Sequence, residues 1–95
     1  MIERHITFTV NPGMAAEFER FFAEEYRPPV TQVPGFVACD LLREIENPDR
    51  YQMVFRWEYA DAAVAWRTSD VHQALQPALN ALVSSMDIVA YATVA

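Results

Sequence analysis

Apolar and polar residues alternate in two well-separated stretches, and a repeat of two commits those stretches to a sheet. In the first, Ile2, Ile6, Phe8 and Val10 fall on one side and Glu3, His5, Thr7 and Thr9 on the other. In the second, Tyr51, Met53, Phe55 and Trp57 alternate with Gln52, Val54, Arg56 and Glu58. After the first strand, Asn11-Pro12 predicts an N-cap followed by proline at the first helical position. Met14, Phe18, Phe21, Phe22 and Tyr26 then recur at helical spacing until Pro28-Pro29 stops the run. The spacing predicts a helix over about residues 12–27, its phenylalanine stripe facing the sheet.

Pro34-Gly35 launches a second strand, Phe36 to Glu44, and the Asn47-Pro48-Asp49 turn joins it to the third as an antiparallel hairpin. Asp61 is the expected N-cap of a helix carrying Trp66. Ser69 caps a further helical stretch with His72, Leu75, Leu79 and Leu82 along one face, which Pro77 should kink or restart. Met86 to Val94 reads as a closing strand. The order β-α-β-β-α-β with right-handed crossovers gives one α+β domain over residues 1–95. It is a four-stranded antiparallel sheet with both helices on one face, the ferredoxin-like arrangement.

The sheet's other face is apolar too. Val37, Cys39 and Leu41 stand opposite Phe36, Ala38 and Leu42, strand three adds Val54, and strand four adds Val89 and Tyr91 opposite Ile88 and Ala90. A sheet with one wet face should alternate more cleanly. With 53% of residues hydrophobic, the expectation is a homodimer packed sheet to sheet, burying Val37, Cys39, Leu41, Val54 and Val89.

Charge and cysteine usage narrow the partners. The net charge is −6 and the seven basic residues, all arginine, are dispersed. No concentrated positive face is available for nucleic acid or an anionic membrane surface. Cys39 is the single cysteine, so it forms no intrachain disulfide and no metal cluster, and it reads as a small buried hydrophobe. The residues Met1 to His5 do not pair a charged region with an apolar run, and no run is long enough to span a bilayer, so the expected location is cytoplasmic.

The chemistry concentrates between Phe55 and His72. A strand ending in Trp57 runs into a helix bearing Trp66 and then His72, which predicts the wall of a pocket for a small aromatic molecule. Core packing is the competing reading for both tryptophans, and a helix-end or dimer contact for His72. His5 reads as an ordinary strand residue. Arg56 should point into the inter-subunit face and pair with Asp40, Asp87 or Glu58. No phosphate-binding glycine loop, nucleophile elbow or metal-ligand spacing occurs.

Four segments resemble the antibiotic biosynthesis monooxygenase family: Val10-Asn11-Pro12-Gly13, Val33-Pro34-Gly35-Phe36, Tyr51 through Trp57, and Ala65-Trp66-Arg67-Thr68-Ser69-Asp70-Val71-His72. The resemblance implies two ferredoxin-like subunits joined as a dimeric α+β barrel, with an apolar pocket in each. In quinone-forming members a phenol or anthrol is deprotonated there and oxidised by molecular oxygen without metal, flavin or other cofactor. On that resemblance Trp57 and Trp66 wall the substrate, Phe18, Phe22 and Phe55 complete the lining, and His72 or Tyr59 handles the substrate oxygen. For the haem-degrading branch the resemblance implies an Asn on strand one, a Trp at the end of strand three, matched by Trp57, and an axial His on the later helix. Here Ile6 and Thr7 occupy the strand position and Gln76 the ligand position, with His72 one turn earlier. A catalytically silent binding or structural dimer of the same fold is the alternative from another class.

Overall fold

The computed structural model describes residues 1–95. Strands β1 (Ile2–Val10), β2 (Phe36–Arg43), β3 (Arg50–Trp57) and β4 (Val83–Ala92) form one sheet in the order β2-β3-β1-β4. Every neighbouring pair is antiparallel. Helices α1 (Ala15–Phe21), α2 (Arg27–Val30), α3 (Ala60–Arg67) and α4 (Asp70–Leu82) complete the β-α-β-β-α-β order.

The helices cover one sheet face because that is where each alternating strand turns its apolar side. Ile6, Phe8 and Val10 of β1 and Tyr51, Met53, Phe55 and Trp57 of β3 are buried against Phe18, Phe21, Phe22, Tyr26, Trp66, Leu79 and Leu82 from the helical layer. No polar or charged residue is among the buried set.

Local chemistry shifts several element boundaries. Asn11 does not cap the first helix. The Asn11-Pro12-Gly13 segment turns instead, with the Met14 N–H donating to the Asn11 carbonyl at 3.0 Å and Gly13 at φ +80°. The Asn11 side chain donates to the Ala81 carbonyl at 3.2 Å, so it ties β1 to the end of α4. Nor do Pro28 and Pro29 stop the helical run. Neither proline has an N–H to offer a carbonyl four residues back. The backbone widens into a π-helical turn over Phe22–Tyr26, where the Arg27 N–H reaches the Phe22 carbonyl, and then continues as α2.

Tyr59, in extended conformation, precedes α3, and Asp61 lies in that helix's first turn without a side-chain capping bond. Ser69 does cap α4, its Oγ accepting the His72 N–H at 3.1 Å, and the helix runs through Pro77. β4 begins at Val83 rather than Met86, directly after α4.

The outer sheet face differs from its expected composition. Phe36 pairs with Trp57, yet Ala38 pairs with Arg56 and Cys39 with Phe55, so an irregularity at Phe36 to Ala38 inserts one residue. One extra residue reverses every following side chain. Cys39 and Leu41 therefore face the helices, Cys39 at 1% exposure, and cannot lie between subunits. Arg56 pairs with Glu3 at 3.1 Å, its direct cross-strand neighbour, rather than with Asp40, Asp87 or Glu58. Glu3 also accepts from His5 at 3.0 Å. Val54, Val89 and Tyr91 remain on this face, with Val89 and Tyr91 substantially exposed.

Candidate active site

A cavity of about 80 Å³ lies between the helix-covered face of the sheet and the helices. Its floor is Arg4, Ile6 and Phe8 of β1 with Phe55 and Trp57 of β3. Its walls are Tyr26 from the π turn, Trp66 and Arg67 from α3, and His72, Gln76 and Leu79 from α4. Met86 and Ile88 of β4 line the remaining side and stay 43% and 45% exposed. The cavity thus opens along an edge strand that α4 leaves uncovered.

The structure brings Trp57, Trp66, Phe55 and His72 together around this space. Trp57 is 1% exposed, stacked on Phe55 at 5.9 Å and edge-on to Phe36 at 5.8 Å. It is chiefly core and contributes only part of its surface to the floor. Trp66 stands edge-on to Tyr26 at 5.7 Å and to His72 at 5.2 Å.

Three expected site residues lie elsewhere. Phe18 packs between Phe8 at 5.4 Å and Tyr51 at 5.0 Å, beneath α1. Phe22 stacks behind Tyr26 at 6.2 Å. Tyr59 is half exposed, its ring against Gly35. Gly35 sits at φ +89°, and a Cβ there would fall 2.7 Å from the Ala62 Cβ and 3.0 Å from the Tyr59 ring. The absent Cβ leaves room for the Tyr59 ring against Gly35, and Tyr59 takes no part in the cavity lining.

Tyr26, Arg4 and Arg67 line the cavity without being among the expected site residues, and Gln76, at the haem-ligand position of the resemblance, lies beside His72. By spacing Tyr26 belongs to the core stripe of the first helix. Arg4 carried a signal of its own, because a charged residue at the inward-facing position between Ile2 and Ile6 breaks an otherwise apolar strand face.

Two polar atoms of the cavity, the indole nitrogen of Trp66 and Nδ1 of His72, are buried without a well-formed hydrogen bond. Tyr26 is 2% exposed, and burial pushes its phenol up to about 12, with the nearby Trp66 N–H pulling it down. At neutral pH it is a donor and no base. Burial first, then the positive charges of Arg4 and Arg67, hold the His72 imidazole below its ordinary value, against an opposing pull from the Arg67 main chain. Its place in the first turn of α4, beside unpaired backbone N–H groups, also disfavours the imidazolium.

His72 Nε2 lies 3.0 Å from the Gln76 side-chain nitrogen one turn along the same helix. With the Gln76 amide donating, the Nε2 lone pair is the acceptor and the ring proton sits on Nδ1. A ligand hydroxyl that replaced the amide would meet that lone pair. The chain can therefore hold an aromatic ring on dry walls and offer a neutral imidazole to a hydroxyl at its edge.

Comparison with known proteins agrees with this architecture. The family model for antibiotic biosynthesis monooxygenases matches residues 1–78. SnoaB of Streptomyces nogalater, a cofactor-independent oxygenase, superposes with a TM-score of 0.88 at 28% identity, covering 97% of this chain and 91% of that one. A Bordetella bronchiseptica protein assigned to the antibiotic biosynthesis monooxygenases gives a TM-score of 0.87 at 28% identity over 99% and 97% of the two chains. Among curated proteins, a mycobilin-producing haem oxygenase of Mycobacterium tuberculosis is 37% identical over 57 residues, 60% of this chain and 53% of the relative. A 42.8 kDa protein of the whiE locus of Streptomyces coelicolor is 38% identical over 63 residues, 66% of this chain. The aligned regions span 53% of the haem oxygenase and 16% of the whiE-locus protein.

Proposed function

Because the chain belongs to the antibiotic biosynthesis monooxygenase family, we propose that it oxidises a small phenolic aromatic with molecular oxygen, without metal, flavin or other cofactor. The observation that carries this reading is the neutral, half-buried His72 facing a cavity walled by Trp57, Trp66 and Phe55. In this reading His72 Nε2 takes the phenol proton and Tyr26 and the Trp66 N–H donate to the oxygen that becomes anionic. The low dielectric of the walls strengthens both contacts. Electrons come from the substrate: a ring C–H and the phenol O–H are lost, one atom of O₂ becomes the quinone carbonyl, and the other leaves as water.

A cavity of about 80 Å³ is smaller than the roughly 150 Å³ in which a benzene ring is enclosed in a protein. One subunit therefore grips the reacting edge of a ring, and the rest extends past Met86 and Ile88. An oxygen electrode run with a panel of phenols, anthrols and hydroquinones should show uptake that depends on the protein. Haem as substrate is the second reading, favoured by the mycobilin-producing relative. Haemin titration discriminates the two: the phenol reading expects oxygen uptake and no saturable Soret shift, and a stoichiometric Soret shift without phenol oxidation reverses that assignment.

The same reading includes a homodimer. Val54, Val89, Tyr91 and Leu42 share the outer sheet face, and β4 is open on both sides. Light scattering at micromolar concentration should give twice the chain mass. Val54→Asp should dissociate or unfold the protein, since burying an unpaired charge costs several kcal/mol. A monomer for the parent chain defeats this part of the proposal.

A further inference from the structure

Every polar side chain on the cavity wall can donate a hydrogen bond or carries positive charge, and none is a carboxylate. This is unexpected in a chain with 13 acidic and 7 basic residues, where most arginines find an acidic partner. Arg20 holds Glu17, Glu24 and Glu25, while Arg43, Arg50 and Arg56 pair with Glu19, Glu44 and Glu3. Arg4 and Arg67 have no carboxylate within 4.0 Å, and both line the cavity. Arg27, also without an ion pair, shares its groove with Asp40 and Glu19 instead.

Bringing two unpaired guanidinium groups beside one apolar cavity costs free energy, because Arg4 is partly desolvated and the two repel one another. Burial first, and then the charge of Arg67, make the Arg4 guanidinium harder to keep charged. An anion between them would relieve both terms.

We propose that the ligand of this cavity is an aromatic carboxylate, its ring against Trp57 and Trp66 and its carboxylate held by Arg4 and Arg67. The proposal rests on the reading of this cavity as an aromatic site and names the substrate class. Guanidinium groups grip carboxylates through paired, charge-assisted hydrogen bonds, so the two arginines would set which end of the ring faces His72. Arg67 lies on the exposed end of α3 and Arg4 is half-buried on β1, so the clamp links the rim to the floor of the cavity and the ring runs from it toward the open side at Met86 and Ile88.

Isothermal titration of the full chain with 2-naphthoate and with its neutral isostere 2-naphthamide tests this. The carboxylate should bind at least about tenfold more tightly, and that advantage should shrink as salt rises. Arg67→Gln, at an exposed position, should remove the advantage while the melting temperature stays unchanged. Arg4→Gln should do the same to the carboxylate. Equal affinity for the two ligands, or an advantage that survives both substitutions, overturns the clamp and leaves the aromatic cavity standing. Failure of both ligands to bind overturns the clamp and the aromatic reading together.

Discussion

Replacing His72 by alanine should lower turnover of a competent phenol by roughly a hundredfold or more while stability changes by less than about 1 kcal/mol. The imidazole is only half-buried and its side-chain partner is Gln76, so its loss removes a base more than a packing element. The pH profile adds an independent readout. A base whose folded value lies below 6.5 is neutral down to lower pH than free histidine, so the acid limb of kcat/KM should inflect below that point. Stability has the matching sign. With the folded value depressed, the His72 contribution is fully present above pH 6.5 and fades as pH falls through the folded value, where the unfolded chain binds the extra proton. Unchanged turnover, or activity and melting temperature falling together, would make His72 a structural residue.

Trp57→Ala should be the most damaging single truncation for the fold. The indole is 1% exposed and touches Phe55 and Phe36, and removing a buried aromatic of this size costs about 3–5 kcal/mol. Against the roughly 5–15 kcal/mol that holds a domain together, that fraction should lower the melting temperature by about 12 °C or more. Urea denaturation of the variant gives the value. A loss under about 1 kcal/mol would mean that the indole belongs to a loosely packed ligand wall. Trp57→Phe keeps the stacking partner and should weaken aromatic binding more than it weakens the fold.

The architecture was legible wherever the repeat of two or of 3.6 ran unbroken. β1 and β3 bury the residues their alternation predicts, and Ser69 caps α4 through the expected side-chain contact. Legibility ended where one residue changed the register. The irregularity after Phe36 is encoded by how β2 meets the end of β3, a contact distant in sequence, and it moved Cys39 and Leu41 from the outer face to the core. The π turn had the same effect on a helix. An ideal helical period ending at Pro28 gives no account of a five-residue turn that carries Tyr26 beside Trp66 and His72.

The site divides along similar lines. Trp57, Trp66, Phe55 and His72 follow from one continuous stretch whose strand and helix pack on each other. Arg4 and Arg67 come from separate elements, and only the fold shows that both lack acidic partners. Phe18 and Phe22 share the phenylalanine stripe with no residue-level cue to separate pocket lining from packing, and their burial beneath α1 and behind Tyr26 decides it. Tyr59 follows Trp57 closely in sequence, but the strand ends between them and its ring turns to Gly35.

The proposed oxidation of a phenol to a quinone needs these side chains and dioxygen alone. Turnover under ¹⁸O₂ by protein stripped of metal and free of flavin and haem, with product analysed by mass spectrometry, tests it most directly. The product should be a quinone carrying one labelled oxygen, with full activity in the presence of a chelator. Product oxygen drawn from water, or turnover that appears only when a metal, flavin or haem is restored, would contradict it.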